Sequence, residues 1–561
     1  MRRQQVGSAE LLAETAASHY TRRPVGTQAL PLCGDSDVAR RDAILRFPWL
    51  LMACALALTG LGIAGVYAAT AGGEGESFWD TQAAKQLIFL GAALAVFAVA
   101  LVPSYVRLAK HSYTLYALSL AALGVLAAMR AGNWEIPGFI YRINYAYSWI
   151  SIPGVPLKLQ PSEIMKIGFI ASLAYYLRFR KNYRTLGGLL VPFALALVPT
   201  ALVLYQPDLG TAMLFLPVLF LMLFAAGARG KHLLAVIAMG LAMVPVFYSM
   251  MHGYQRMRID SWLLHGCAEK VYFAVNRPGE PGAEGKSASA DEDARDLPAA
   301  DRDGAARQGT PREDAEAEAE PAPVNHVAAA ARTRLETMTD GEKAALVREV
   351  TGMWRFRLWR LADALSWGEG KAEFTEAKER LFRVLEEKGP GPESFDVLRL
   401  FFGSLLDNYG FQLFQAKVAV GSGGLLGQGW LEGTQTRYGF LPEAHTDFLF
   451  PTLAEQFGFL GAATVVVLYG VVCLLGVDVS FSTTEPYGKL LVVGVVALVA
   501  AQSFLNIAMS IGLMPITGIP LPLMSYGGSS LVSSYLALGL LCNVAVRRLY
   551  LIAPRPFEWR E

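Results

Sequence analysis

The sequence predicts an all-α protein that crosses a membrane ten times, with a large insertion outside the membrane between spans 7 and 8. Apolar residues make up 53% of the 561 residues and charged residues only 17%, whereas an ordinary soluble domain carries about 25% charged residues. The apolar residues are also grouped into stretches of roughly 20, the length that crosses the hydrocarbon core of a bilayer. Both features argue against a soluble enzyme and against a disordered chain.

Each predicted span is one of these apolar stretches. They cover residues 47–70, 84–103, 112–129, 162–178, 187–205, 211–228, 232–250, 448–475, 489–513 and 529–551. About 45 mostly polar residues precede the first span, which is unlike a cleavable signal peptide.

Basic residues mark alternate loops and predict the orientation. They occur in the N-terminal tail, after spans 2, 4 and 6 and at the end of span 10, for example at Arg107, Arg180, Arg229 and Arg547. The positive-inside rule then places both termini in the cytoplasm, as an even number of spans requires. The basic loop at 130–161 is an exception to this alternation. Residues 251–447 are therefore predicted to lie outside the cytoplasm.

The predicted segments follow from these spans. They are a cytoplasmic tail (1–45), spans 1–7 (46–259), an insert (260–407), an external loop (408–447), spans 8–10 (448–552) and a cytoplasmic tail (553–561). Within the insert, 278–325 is rich in Ala, Asp, Glu, Gly and Pro, which predicts a disordered acidic linker. Apolar and charged residues then alternate at helical spacing, so 326–407 is predicted to be a helical module. Its helices are expected at 327–336, 340–365, 373–388 and 394–406.

Composition also limits the partners. The net charge is +1, so no overall field favours nucleic acid. The five cysteines are far apart and the seven histidines form no His-x-x-x-His pattern. The sequence therefore predicts neither a disulfide framework nor a metal site built from protein side chains.

A first polar group stands at the start of the fourth span. Pro161 suits the first turn of a helix, and Glu163 and Lys166 follow three residues apart on one face, where they can pair. An ionisable residue inside a span costs about 2.5–3.5 kcal/mol, so it indicates function by default. A neutralised pair that only joins helices is the alternative.

Two further groups lie at predicted external loops. Asp208 follows a Gln-Pro pair and can cap the next helix through its side chain. A glycine-rich stretch from Lys417 to Gln435 leads to Glu443, His445 and Asp447 at the mouth of span 8. A carboxylate there is partly desolvated, so its pKa can rise towards that of a useful base. Helix capping by Thr446 or Asp447 is the alternative.

The last group, 515–530, contains three prolines and three glycines, which disfavour a regular helix. Non-helical backbone at membrane depth must be buried in protein or line a wet cavity. The stretch is predicted to be a re-entrant loop or a cavity wall, with an ordinary external loop as the alternative.

Six motifs together resemble one family, the SEDS (shape, elongation, division and sporulation) glycosyltransferases of bacterial cell-wall synthesis. In chain order they are QPSEIMK (160–166), QPDLGT (206–211), YQRMR (254–258), KVAVGSGGL (417–425), LPEAHTDF (441–448) and GIPLPLMSYGGSS (518–530). The stretch GWLEGTQ at 429–435 is similar to the elongation (RodA) branch, and the division (FtsW) branch stays open. The resemblance implies a ten-span helical fold that polymerises lipid II into glycan strands in the bacterial cytoplasmic (inner) membrane.

The resemblance also assigns site residues. It places the family's essential carboxylate on Asp447 and its membrane charge pair on Glu163 and Lys166. The other substrate-binding candidates are Trp149, Asp208, Arg256, Arg258, Lys417, Gln435, Glu443, His445 and Ser525. Ser148 stands where the family usually has Arg, which removes one expected anion contact.

The implied reaction joins two lipid-linked sugars. Asp447 would take the proton of the acceptor GlcNAc 4-hydroxyl while the donor MurNAc loses a lipid pyrophosphate. Positive charge must stabilise that leaving group, and Mg²⁺ or Mn²⁺ could assist. The resemblance implies a class B penicillin-binding transpeptidase as partner. The insert is expected to contact this partner or the cell wall, or to have no role. A flippase for lipid-linked precursors is the main alternative function, and a scaffold is the third.

Overall fold

The computed structural model describes most of the predicted membrane core and much of the insert. The described residues are 47–70, 78–132, 134, 136, 148–151, 158–180, 184–206, 208–244, 247–248, 253–276, 338–353, 355–357, 359–360, 372–405 and 410–547. The predicted acidic linker, the N-terminal tail, the C-terminal tail and the predicted helix at 327–336 lie outside them.

Within the described residues the fold is almost wholly helical. The helices are α1 (Trp49–Thr70), α2 (Gln82–Leu101), α3 (Tyr105–Gly132), α4 (Pro161–Phe179), α5 (Leu190–Tyr205), α6 (Leu209–Ala226), α7 (Gly230–Ala242), α8 (Gly253–Asn276), α9 (Asp340–Gly352), α10 (Ala372–Lys388), α11 (Pro392–Leu405), α12 (Phe411–Ser422), α13 (Thr434–Arg437), α14 (Leu449–Phe481), α15 (Pro486–Ser510) and α16 (Gly528–Arg547). Two short strands, β1 (Ile150–Ser151) and β2 (Lys158–Leu159), pair antiparallel. Short 3₁₀ turns precede α2 and α5.

Eight of the described helices are long and apolar enough to cross a membrane, which confirms a polytopic helical fold. They are α1, α2, α3, α5 with its 3₁₀ turn, α6, α14, α15 and α16. The two other predicted spans correspond to α4, which carries Glu163, Lys166 and Arg178, and to the shorter apolar helix α7. α7 ends at Ala242, three residues before Pro245 in the sequence. The total of ten spans stays a prediction.

α15 and α16 form the centre of the membrane core. About two thirds of α15 and 72% of α16 are buried within the protein, against 22–50% for the other candidate spans. Gly539 lets α16 approach α2 closely, because a Cβ there would lie 2.8 Å from the Cβ of Ala100. Small residues at such crossings let helix backbones pack without a gap.

The described part of the insert packs as a separate helical unit, here called the insert module (α9–α11, packed on α8). Its core contains Trp359, Phe395 and Phe401, together with Cys267 of α8. α9 begins with a capping box, in which Thr339 and Glu342 each bind the other's backbone N–H. These helices overlap three of the four predicted helical stretches. α9 lies within 340–365 and ends at Gly352, whereas α10 and α11 begin one and two residues before the predicted starts at 373 and 394.

α8 crosses the boundary at 259/260 that the sequence suggested between the spans and the insert. This single helix carries the YQRMR motif at its start and joins the core of the insert module further along. It therefore connects the two parts of the chain without a break.

Candidate active site

Asp447 lies two residues before α14, and its backbone is held by its own loop and by α15. Its N–H donates to Glu443 O (3.1 Å) within its own loop. Its carbonyl accepts from Nδ2 of Asn506 on α15 (2.8 Å), and the same Nδ2 donates to Ile519 O (2.7 Å). Asn506 thus ties Asp447 to the segment between α15 and α16, here called the 511–527 loop.

The 511–527 loop is non-helical, and four of its apolar side chains are deeply buried. Ile519, Leu521, Leu523 and Met524 belong to the main hydrophobic core. Buried non-helical backbone requires internal partners, and Gln86 of α2 supplies two of them. Its Nε2 donates to Ser525 O (3.0 Å), and its Oε1 accepts from Gly527 N (3.2 Å).

Gly518 lies between two opposite charges. A Cβ at this position would be 3.4 Å from Asp447 Oδ2 and 3.8 Å from Arg258 Nη1, and its φ is +71°. Glycine is therefore favoured here both by backbone conformation and by the close approach of the carboxylate and the guanidinium. Arg258 also donates from Nη1 to Ile516 O (3.4 Å).

The environment of Asp447 suits a general base. Burial raises the pKa of this carboxyl to about 7, with further upward contributions from Glu443 and Asp208, while Arg258 opposes them. A base is most effective when its pKa is near the working pH. The residue as a whole is still partly accessible to solvent.

Glu443 and His445 flank Asp447 in the same loop. Glu443 is exposed, has a φ of +53°, and accepts from Thr446 Oγ1 (2.9 Å). His445 is partly buried, which lowers the pKa of its imidazole. Its carbonyl accepts from Tyr526 N (3.0 Å), and the two rings lie 5.6 Å apart. His445 therefore joins the loop of Asp447 to the 511–527 loop.

Ser525 is also part of this loop. Its hydroxyl accepts from Leu521 N (2.7 Å). Ser525 therefore belongs to the loop that Asn506 connects to Asp447.

Glu163 and Lys166 form the predicted ion pair. Lys166 Nζ lies 2.8 Å from Glu163 Oε1, and both side chains are only 4% exposed. Ser533 of α16 donates to the second oxygen of Glu163. Lys166 also donates to Gln502 Oε1 (3.4 Å), and Gln502 Nε2 donates to Pro520 O (2.9 Å). The pair thus connects α4, α15 and α16 with the 511–527 loop.

Asp208 caps α6, as the sequence suggested. Its Oδ1 accepts from Thr211 N (3.0 Å) and its Oδ2 from Gln160 Nε2 (3.1 Å). The start of α6 contacts the 511–527 loop, since a Cβ on Gly210 would lie 2.7 Å from Thr517 O.

Trp149 and Ser148 precede β1. Trp149 is partly buried, and the buried Ser148 donates from its hydroxyl to Gln206 O (3.4 Å). At the position where the resemblance expects Arg, this chain therefore has a short side chain bonded to the protein backbone.

The glycine-rich loop (residues 423–433) packs against a kink in α14. Gly458 is non-helical there, with a φ of +64°. Phe459 N donates to Gly424 O (2.8 Å), and Gln428 N donates to Glu455 O (2.9 Å). A Cβ on Gly427 would lie 2.0 Å from Gln456 O, so only glycine fits this contact.

Glu455 is a structural residue that the sequence reading missed. It is fully buried and accepts from Gln435 N (2.7 Å), Thr436 N (3.2 Å) and Thr436 Oγ1 (2.6 Å). It thereby anchors Gln435, whose side chain is partly buried. The available signal was a polar residue in an apolar span and close to one of its ends, which Gln86, Gln502 and Asn506 share.

Lys417 is placed differently from the central group. Lys417 Nζ lies 2.6 and 2.7 Å from the two carboxylate oxygens of Glu269 on α8, so its charge is paired. Arg256 is in α8, but its side chain lies outside the described residues. The structure therefore gathers Asp447, Arg258 and the cap of α6 around the 511–527 loop.

Comparisons with known proteins agree with this architecture. The family model FTSW_RODA_SPOVE, described as "Cell cycle protein", matches residues 48–266 and 399–550. The peptidoglycan glycosyltransferase RodA of Treponema pallidum is 27% identical over 514 residues, which cover 90% of this chain and 98% of the relative. The probable peptidoglycan glycosyltransferase FtsW of Geobacter sulfurreducens is 26% identical over 510 residues, covering 90% and 96%.

A solved structure described as "Structural coordination of polymerization and crosslinking by a peptidoglycan synthase complex" shares the fold. Its TM-score is 0.52 at 20% identity, over 89% of this chain and 97% of the other. The apolar helices and these bacterial relatives indicate a bacterial membrane protein. Because the family model covers well over half of its residues, the chain belongs to the FtsW/RodA/SpoVE family of cell cycle proteins.

Proposed function

We propose that this chain is a peptidoglycan glycosyltransferase of the RodA type, which polymerises lipid II into glycan strands during cell elongation. The observation that carries the proposal is the carboxylate of Asp447, which is partly buried beside Arg258 and has a pKa of about 7. The names of the relatives, RodA and FtsW peptidoglycan glycosyltransferases, support the same activity.

The proposed reaction is a single displacement at the donor sugar. The acceptor 4-hydroxyl attacks C1 of the donor MurNAc, the new C1–O bond forms, and the bond from C1 to the lipid pyrophosphate breaks. Asp447 takes the proton of the hydroxyl as the bond forms. The leaving pyrophosphate carries the negative charge away, and Arg258, supported by Arg256, is the cation proposed to stabilise it.

The other predicted binding residues have supporting positions in this proposal. Lys166 is paired with Glu163, and Lys417 with Glu269, so both cations hold protein segments in the structure. Glu443 and His445 border Asp447. Trp149, Asp208, Gln435 and Ser525 are proposed to shape the substrate site.

A divalent cation, Mg²⁺ or Mn²⁺, stays a prediction. No group of three or more His, Cys, Asp or Glu side chains comes together among the described residues. A cation would therefore draw most of its ligands from phosphate oxygens and water, as Mg²⁺ often does. Polymerisation in the presence of a chelator tests this requirement.

The membrane arrangement follows from the same proposal. With α4 and α7 added to the eight candidate spans, ten helices cross the cytoplasmic membrane and both termini lie in the cytoplasm. Asp447 and the insert between spans 7 and 8 then face outward. A class B penicillin-binding transpeptidase is the proposed partner. The shared fold with a chain of a solved peptidoglycan synthase complex agrees with such an assembly.

The decisive assay is polymerisation of lipid II by the purified protein in detergent. A polymerase makes long glycan strands under these conditions, whereas a flippase or a scaffold makes none. The RodA branch is tested by depletion in cells, which should produce round cells if the protein acts in elongation and filaments if it acts in division.

A further inference from the structure

Helix α8 has two opposite faces that contact different parts of the protein. Successive helical residues are about 100° apart, so Arg258, Trp262, His265 and Glu269, spaced by four, three and four residues, share one face. The opposite face packs in the core of the insert module. It carries Leu263, Leu264, Cys267, Ala268 and Val271.

The first face follows the catalytic region over three helical turns. Arg258 donates to Ile516 O (3.4 Å) and Trp262 Nε1 donates to Gly512 O (3.1 Å), both in the 511–527 loop. One turn further, the ring of His265 lies 6.5 Å from that of Phe414 on α12. This face of α8 is therefore fixed to the wall of the proposed active site.

Glu269 makes the strongest of these contacts. Both of its oxygens lie within 2.7 Å of Lys417 Nζ, and His265 Nε2 is 3.2 Å from Oε1. Burial opposes ionisation, but the interactions with His265 and Lys417 lower the pKa of Glu269 to about 2. The carboxylate is thus ionised at every pH used for enzyme assays, and charge-assisted contacts of this kind are strong.

The two partners come from different parts of the chain. Lys417 lies in the segment that matches the family model, whereas Glu269 lies in the unmatched segment between 266 and 399. The ion pair therefore joins a segment outside the family match to a segment inside it.

We propose that Glu269 is a positioning residue: by fixing α8 to α12 through Lys417, it holds Arg258 beside Asp447 and couples the insert module to the catalytic carboxylate. The proposal rests on the proposed glycosyltransferase function. Eleven residues separate Glu269 from Arg258, which is about 16 Å along a helix, so the effect travels through a rigid element and not through direct contact.

The coupling has a measurable electrostatic consequence. Two negative charges disfavour ionisation of Asp447: Glu443, in the loop that contains Asp447, and Asp208, at the start of α6. The positive charge of Arg258 on α8 favours it. If α8 loses its anchor, Arg258 is held less firmly and ionisation becomes harder. The acid limb of the pH–rate profile should then move to higher pH.

The test compares normalised pH–rate profiles of lipid II polymerisation by the full-length purified protein. Glu269→Gln keeps the size of the side chain but removes its charge. The expected result is a shift of the acid limb by about half a pH unit, equal to a roughly threefold lower relative rate near pH 6, with little change at pH 8.5. Arg258→Gln should shift its own normalised profile in the same direction, and adding Glu269→Gln should shift it no further.

Glu349→Gln is the matched control. Lys270 and Glu349 also form an ion pair between α8 and α9, but both side chains are exposed, at 43% and 57%, and the pair lies within the insert module. Its loss should leave the profile unchanged. If Glu269→Gln does not yield folded protein, Trp262→Phe removes the bond to Gly512 O while keeping an aromatic ring, and a smaller shift in the same direction is expected.

Different results would contradict the proposed function and the positioning role of Glu269. A wild-type protein that makes no polymer contradicts the proposed function, and the positioning role with it. An active wild type whose profile coincides with that of Glu269→Gln, or with that of Trp262→Phe where that variant replaces it, overturns the positioning role alone. Equal shifts for Glu269→Gln and Glu349→Gln also overturn it, because they would indicate a general effect of loosening the insert.

Discussion

The protonation state that Asp447 needs for catalysis should be the one that makes the folded protein less stable. Its pKa is about 7 in the folded protein and about 3.9 in an unfolded chain, so the native state holds the proton more tightly. The stability that comes from this difference is fully present below about pH 4 and is lost as the pH rises through 7. Catalysis needs the ionised form, which is the less stable one.

Asp447→Asn should therefore lose activity without losing stability. The amide keeps the shape of the side chain but cannot accept the proton, so polymerisation should fall on the order of 10²–10⁴-fold. At pH 8 its Tm in a thermal scan should equal or exceed that of the wild type, because no charge is buried. A clearly lower Tm would show that the carboxylate mainly supports the fold.

Glu163 and Lys166 should behave as a coupled pair. Both are 4% exposed and 2.8 Å apart, so removing one leaves an uncompensated buried charge, at a cost of about 3–5 kcal/mol. Each single alanine variant should lose expression or activity, and the double variant should be less affected than the sum. A double-mutant cycle on stability measures this coupling, and strict additivity would contradict it.

Single residues were predictable where a local pattern carried the signal. The spacing of Glu163 and Lys166 predicted their ion pair, and the position of Asp208 before a span predicted its cap. The pairing of Lys417 with Glu269 had no such signal, because 148 residues separate the two. Glu455 was missed for the same reason, since its partners lie in a loop about 20 residues away.

The short helix α13, which follows the glycine-rich loop, is held by one buried carboxylate, and this gives a prediction for the element. Hydrogen bonds to a charged group contribute about 1.5–3 kcal/mol each, and Glu455 accepts from both Gln435 N and Thr436 N. Glu455→Gln replaces one acceptor oxygen by a donor. Polymerisation should fall at least about tenfold, and trypsin should cleave faster at Arg437.

An exposed ion pair between the glycine-rich loop and α13 provides the control for this element. Glu432 lies 3.3 Å from Arg437, and both are at least 60% exposed. Glu432→Gln should change activity and cleavage little, as exposed pairs contribute about 0–1 kcal/mol. Equal effects of the two substitutions would mean that Glu455 has no special role.

Element boundaries were harder to predict than elements. The apolar pattern located the spans, but it cannot show that one helix, α8, packs against two different parts of the protein. The sequence of α8 changes character after YQRMR, which suggested a boundary at 259/260. The structure keeps the helix continuous because one face contacts the catalytic region while the other is buried in the insert module.

For the whole molecule, two variants test the role of the acidic linker separately from that of the insert module. Deleting 278–325 removes none of the described contacts, so polymerisation and its pH profile should stay unchanged. Replacing 266–405 with a Gly/Ser linker also removes Glu269. We expect this protein to polymerise lipid II still, but with its acid limb at higher pH.

Comparing the pH–rate profile of each variant with that of the wild type distinguishes the role of the linker from that of the insert module. Loss of intrinsic activity in a folded 266–405 replacement would show that the insert module belongs to the active site. An effect of the 278–325 deletion alone would give the linker a function that its composition does not suggest.

The overall architecture could be read largely from the sequence because hydropathy is a strong and local signal. Eight predicted spans correspond to candidate membrane helices, and the family match is confirmed. The assembly of the site was less accessible. Asn506, Gln86 and Gln502 hold the 511–527 loop through backbone contacts, which sequence periodicity does not encode.

The central claim is that this membrane protein polymerises lipid II with Asp447 as the base. The most direct measurement incubates purified wild type and Asp447→Asn with lipid II in detergent and separates the products by length on a gel. We predict long glycan strands from the wild type and none above background from the folded variant. No polymer from the wild type, or equal polymer from both proteins, would contradict the account.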